Sequence, residues 1–396
     1  MRKSRLHSSL FYGLAVVLIG AVTCFSPVGA AAAGATSSAA ATIRIGGNFD
    51  LSGRCAYIGE MVMSGAKLAF KEANDAGGMI GRKIEFIPLD NAFDKAKAAV
   101  VMKSLAARGD VSAVLGCLTA TNTSAAYTIA EQNRMPLISP SAGNYLLTGN
   151  DGKVKAYAFR TCFLDIKQAD LMALFALEDL GAKTAAIVFD DKVDLFRAMA
   201  FYFEKSFTDA GGKIVAKEQV GSSGEVSQEN IAQIRQAEPE VIFMPMDYRE
   251  GGQGIRCLRE SGIGVPLLGP DLWFTQRIVA YAGEEALNNI YYVSYFAPSD
   301  KLPKLDAFMF AFAKEFKRPA DIYAAMGYEA AGVLIEAIKK AGSADPEDIR
   351  TALEGIETEG LLGTIRIEAA NHDVVRPMTI DRFVEGQGFA YRLFKP

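Results

Sequence analysis

Histidine is almost absent from this chain. Its 396 residues include only His7 and His372, so a Ser-His-Asp triad or a histidine-rich metal site would have to rest on His372 alone. Cysteine is sparse too, at five residues with no CxxC spacing, which excludes a zinc ribbon. No GxSxG motif occurs; Gly221-Ser222-Ser223-Gly224 reads as a polar loop. The cluster Gly77-Gly78-Met79-Ile80-Gly81 follows a helical pattern and precedes a strand. That is the wrong order for a phosphate-binding GxGxxG, and a helix C-cap with a turn is the reading kept. Asp190-Asp191 has no third ligand nearby in sequence. These gaps argue against a hydrolase or dehydrogenase, and no cofactor or metal is expected. Long apolar runs are lacking after the N-terminus, and a net charge of −4 speaks against nucleic-acid binding.

What is present begins with a leader. Arg2, Lys3 and Arg5 precede an apolar run of twelve residues, 11–22, and then the small-x-small sequence Val28-Gly29-Ala30. This order is that of a secretory signal peptide over 1–30. Twelve helical residues make about 18 Å, against about 30 Å for a bilayer core. Residues 31–42, rich in Ala, Gly and Ser, read as a flexible tether. Cys24 opens a second route, lipid attachment, but Thr23 is bulky for that processing site, so a free exported protein is the expectation. Export permits disulfides. Cys55 and Cys117 both follow predicted strands and form the candidate pair, whereas Cys257 sits in a helical pattern as a buried apolar residue.

Beyond the tether, strand-like and helix-like runs alternate. Strands are predicted at 43–49, 83–89, 111–116 and 136–139, with helices at 62–73, 95–107 and 123–132 between them. After a non-helical stretch near 156–164 the rhythm restarts, with strands at 184–189, 213–220, 241–244 and 266–268. Helices there run through 207, over 227–236 and over 252–260. The pattern predicts an α/β fold of parallel sheets covered by helices. A strand at 291–293, helices at 304–316, 322–340 and 346–353, and strands at 363–367, 378–383 and 390–394 form a tail. It is expected to return and complete the first unit, then the second. Phe308, Phe310, Phe312 and Phe316 are expected to pack in core and surface.

Ligands of open α/β sheets sit at the carboxyl ends of strands, beside helix N-termini. The segments placed there are 50–57, ending at Tyr57; 117–123, with Ala120 and Thr121; and 140–143, with Ser141, Ala142 and Gly143. In the second unit they are Asp190-Asp191, Asp247 and Asp271. Each of these residue types is also a good helix cap; their coincidence at the strand ends of both units is the functional signal. Hydroxyls and amides on one side and carboxylates on the other suit a zwitterion. Tyr323, opening a long helix, is the aromatic pocket candidate.

Leu51-Ser52-Gly53, the run 65–69, Asn74-Asp75-Ala76-Gly77-Gly78, the run 90–94, the segment 136–142 and Gly269-Pro270-Asp271 resemble the leucine/isoleucine/valine-binding proteins. These are the type I periplasmic receptors of ABC importers. The resemblance covers the chain beyond the tether and implies two Rossmann-like lobes joined by three crossovers, 43–162 with 295–376 and 163–294 with 377–396. It implies that Ala120, Ser141 and Gly143 hold an amino-acid carboxylate, that Asp271 and Asp247 contact its ammonium, and that Tyr323 lines the side-chain pocket. Ala120 and Gly143 lack the family's usual hydroxyls, Asp247 replaces an aromatic, and Leu195 stands where many members have a tyrosine. The expected function is a periplasmic receptor, monomeric, which closes on a small amino acid or related polar solute and docks on a membrane permease without catalysis. An exported sensor subunit, or a receptor for an amide such as urea or for an aromatic carboxylate, is the alternative.

Overall fold

The computed structural model describes residues 42–394 apart from 151–152, 222, 274–276, 297–301 and 385. The leader, Cys24 and the tether up to residue 41 lie outside the described residues.

The first run comprises β1 (Ile43–Phe49), α1 (Ala56–Asp75), β2 (Ile84–Asp90), α2 (Lys95–Ala107), β3 (Val111–Gly116), α3 (Ala120–Asn133) and β4 (Leu137–Ser139). A small hairpin of β5 (Gly149–Asn150) and β6 (Lys153–Val154) follows, then β7 (Ala158–Arg160). The second run comprises α4 (Asp165–Glu178), β8 (Thr184–Phe189), α5 (Asp194–Asp209), β9 (Lys213–Gln219), α6 (Gln228–Ala237), β10 (Val241–Phe243), α7 (Tyr248–Glu260) and β11 (Leu267–Gly269). It continues through a 3-10 turn at Asp271–Trp273, α8 (Arg277–Ala282), a second turn at Glu284–Ala286 and β12 (Ile290–Ser294). The tail contains α9 (Pro303–Phe316), α10 (Ile322–Ala341), α11 (Pro346–Leu353), β13 (Glu357–Glu359), β14 (Thr364–Ile367), β15 (Val374–Val375), β16 (Met378–Val384) and β17 (Gln387–Phe394).

One sheet has the order β2-β1-β3-β4-β7, parallel throughout. The other runs β17-β16-β12-β11-β10-β8-β9, parallel from β12 to β9 and antiparallel at β16 and β17. Strands such as β3, buried at every position, read as continuous apolar runs because helices cover both faces. The tail returns as expected: α9 and α10 pack on α1, α11 packs beside β3, and β16 and β17 extend the second sheet.

Three differences matter for the site. Helix α4 occupies a stretch where no element was expected; its Ala169, Met172, Ala173 and Ala176 are fully buried. Helix α1 starts at Ala56, before the apolar periodicity becomes visible. Helix α7 starts at Tyr248 and not at 252, despite Gly251 and Gly252. Tertiary packing overrides their poor helix propensity, since a Cβ at either position would press on Trp273 or Tyr281.

Candidate functional site

At the carboxyl end of β1, Asp50 is fully buried and accepts a 2.7 Å hydrogen bond from Asn122 Nδ2 of α3. Burial raises its pKa. Asp50 thus braces the site from beneath. Tyr57, in the first turn of α1, donates to Asp321 Oδ2 at 2.7 Å, and the Arg277 guanidinium lies 3.9 Å from its ring centroid. Asp321 also caps α10 through the Ala324 N–H, which places Tyr57 beside the opening turn of α10 and its Tyr323.

Thr119 caps α3 by accepting from Asn122 N. Of the two expected ligand residues that follow it, Ala120 is half-buried and Thr121 exposed. At the end of β4, Ser139 Oγ donates to Cys117 O at 2.6 Å and accepts from Ala142 N at 3.1 Å. Ser141 Oγ donates to Leu118 O at 2.9 Å. Ala142 is buried in the core cluster of α2 and α3. The loop is held from behind by Arg160, fully buried, which donates to Asn144 O at 2.7 Å and Thr148 Oγ1 at 2.6 Å.

In the second sheet, Asp247 caps α7, accepting from the N–H groups of Arg249 at 2.8 Å and Glu250 at 3.3 Å. The same carboxylate lies 3.5 Å from Arg54 of the β1–α1 loop, whose guanidinium also pairs with Glu250 at 3.1 Å. Burial, then the hydrogen bond and charge of Asp247, push Glu250 up to about 7. Asp271 stands in the turn after β11, partly exposed. Its backbone N–H donates to Gln168 Oε1 at 2.9 Å, and burial pushes its carboxyl up to about 7. Tyr323 is buried, within electrostatic reach of Asp321, Asp271, Tyr248 and Asp247. Tyr57, Asp247, Asp271 and Tyr323 therefore share one region between the strand ends of the two sheets.

Several residues of this region were not anticipated: Asp165, Gln168, Glu250, Arg277, Tyr295 and Asp321; Arg54 lay within the expected segment 50–57 but was given no role. Asp165 opens α4, its backbone N–H donating to Gly143 O at 3.0 Å. A Cβ at residue 143 would collide with Asp165 Oδ1 and lie 3.0 Å from Phe163 O. Burial, then the charge of Asp271, push Asp165 up to about 7. Asp165 follows β7 as Asp271 follows β11, so the strand-end rule would have found it had β7 and α4 been recognised.

The candidate Cys55–Cys117 bridge is not formed, and all four described cysteines are free thiols. Cys117 is committed to the core with Ala98, Met102 and Ala126, whereas Cys55 stands at the partly exposed N-terminus of α1. Among the described residues no cluster of three metal-ligating side chains occurs, and no helix is long and apolar enough to cross a membrane.

Two mainly parallel α/β sheets, with polar side chains gathered between their strand ends, define a binding protein for a small solute. The family model for periplasmic binding proteins matches residues 42–387, and the chain belongs to that family. A curated relative, the leucine-, isoleucine-, valine-, threonine- and alanine-binding protein of Pseudomonas aeruginosa, is 28% identical over 329 residues, covering 83% of this chain and 86% of the relative. Among solved structures, the branched-chain amino acid transporter substrate binding protein of Streptococcus pneumoniae in complex with isoleucine superposes with a TM-score of 0.80. It is 31% identical and covers 90% of this chain and all of that one (100%). An ABC transporter substrate-binding protein from Sphaerobacter thermophilus has a TM-score of 0.82 at 23% identity, over 90% of this chain and 98% of that one. This last likeness bears on the fold alone. The α/β architecture is that of the type I periplasmic binding proteins.

Proposed function

We propose that this chain is the periplasmic receptor of an ABC importer, taking up a small amino acid or a related polar solute that bears an amino group. One lobe comprises 43–162 with 295–376, the other 163–294 with 377–396, and the ligand lies between them. The observation that carries the reading is Asp271. It sits at the carboxyl end of a parallel strand, half-buried, with no ion-pair partner among the described residues. A carboxylate held this way is costly unless a cation completes it, and a ligand ammonium is such a cation. Family membership and the names of the relatives support the transport role.

The leader delivers the protein to the periplasm, where it acts as a monomer without chemical turnover. A solute that touches both lobes favours the closed form by its differential affinity, and the permease reads that form. The test is a thermal-shift screen of the exported protein against amino acids, amides and aromatic acids. A ligand at about 100 times its dissociation constant adds about 2.7 kcal/mol of stability. The expected hits carry an amino group and are lost in Asp271→Ala. If only solutes without an amino group stabilise the protein, and Asp271→Ala binds them unchanged, the reading fails.

A further inference from the structure

The polar groups around Gly143 do not match a ligand carboxylate. Ala120, Ser141 and Gly143 were expected to hold one, and the loop after β4 that carries the last two offers it little. At Ser141 the hydroxyl proton is committed to Leu118 O, so the oxygen offers lone pairs and no donor. At 142 the backbone N–H is committed to Ser139 Oγ. At 143 there is no side chain, and the space a Cβ would fill is taken by Asp165 Oδ1. A carboxylate has replaced the expected hydroxyl donor.

Asp165 and Gln168 lie on one face of α4, three residues apart, and Gln168 accepts from the backbone N–H of Asp271. Asp165 and Asp271 are thereby brought together, and among the described residues neither carboxylate forms an ion pair. Beside them the Tyr295 hydroxyl is buried, with no hydrogen-bond partner among the described residues. Its ring stacks on Phe163 at 4.3 Å, whose carbonyl borders Gly143. A buried hydroxyl left unsatisfied costs free energy that a bound polar group would recover. Donors at this end include the N–H groups that open α3 at Ala120 and Thr121, and they suit a carbonyl oxygen.

The geometry points to a ligand whose end opposite its ammonium is a neutral carboxamide and not a carboxylate. The ammonium meets Asp271, the amide NH2 meets Asp165 and the Ser141 oxygen, and the amide carbonyl meets the N-terminus of α3. This inference rests on the receptor reading above and narrows its ligand class to amino-acid amides. A free amino acid would set its carboxylate against Asp165, and unless Asp165 takes up a proton the two like charges repel in a partly desolvated site.

The experiment is calorimetric titration at pH 7.5 with matched pairs, leucine against leucinamide and alanine against alaninamide. Each pair is run on the full exported protein and on Asp165→Asn and Asp165→Ser, whose melting temperatures are checked first. The amide of the better-bound side chain is expected to bind about tenfold or more tighter than its acid. Asp165→Ser, which restores a hydroxyl donor, is expected to narrow or reverse that ratio, and Asp165→Asn to narrow it. An acid that binds as tightly as its amide overturns the inference while leaving the receptor reading intact, as does a ratio unchanged in both variants. If no amino-bearing solute binds, in these titrations or in the screen above, both readings fall together.

Discussion

Asp165 and Asp271 give the molecule a measurable pH signature. Each is pushed up to about 7 in the folded chain, while the unfolded chain ionises them near 4. Between those values the native state holds protons that the unfolded state has released. The stabilising contribution is therefore fully present below about pH 4 and is lost as pH rises towards 7. The groups facing the pair are Arg160, Cys162, Tyr295 and Tyr323. His372 works in the opposite direction, because burial holds it neutral and the unfolded histidine gains its proton below about 6.5. Comparing melting temperatures of the wild type and Asp271→Asn at pH 5 and pH 8 separates the two effects. The wild type is expected to lose ground to the variant on going from pH 5 to pH 8. A difference that stays constant over that range removes the raised carboxylates from the account.

At the scale of elements, the joint between α1 and α10 decides how the tail docks. A Cβ at Gly327 would strike the carbonyl oxygen of Val62, and one at Gly65 that of Ala324. The two helix backbones touch there. Gly327→Ala is expected to cost about 1–3 kcal/mol, since the obstacle is backbone and cannot rotate away. Gly332→Ala, one turn further along α10 with no atom near its Cβ position, is expected to stabilise by about 0.5–1 kcal/mol through helix propensity. Chemical denaturation of the two variants measures both signs in one helix. The elements differ in how readable they were. Strands such as β3 and β8 were legible because burial on both faces leaves an unbroken apolar run. The placement of Asp271 directly after a strand and of Tyr323 at the opening of a helix was legible. Helix α4 was not, since its buried face is built on alanines around Met172 and Phe175, a weaker periodic signal than leucine would make. With α4 went Asp165 and Gln168. Asp247 was weighed as a helix cap, which it is for α7, but Gly251 and Gly252 hid the start of that helix.

For the whole molecule, the strand ends of the sheets are bridged, among the described residues, by Arg54 to Asp247 and Glu250 and by Arg277 on Tyr57. Arg54 is more than half exposed, at 55%, so its pairs contribute modestly, in the range of about 0.2–1 kcal/mol. Arg54→Ala is expected to raise the radius of gyration of the ligand-free protein in small-angle scattering. It should also weaken ligand binding by no more than about fivefold. Scattering curves that superpose would mean that the bridge does not hold the sheets together. Arg376, just before β16, ties the residue after β7, the residue after β12 and helix α10 together. It donates to Thr161 O at 3.1 Å, lies over the Tyr295 ring at 4.4 Å and forms a buried 2.7 Å pair with Glu329 of α10.

The return of the tail also sets a timetable for folding. Tyr328 of α10 donates to Glu72 of α1 across 256 positions of sequence, and the second sheet ends in β16 and β17, the final strands described. Neither half can bury its last helix or strand until nearly the whole polypeptide exists. Such distant pairings assemble slowly, because loop closure must precede the contacts that reward it. A chain emerging from the ribosome therefore completes these pairings later than one built from local contacts, a delay in keeping with the export that the proposed periplasmic role requires.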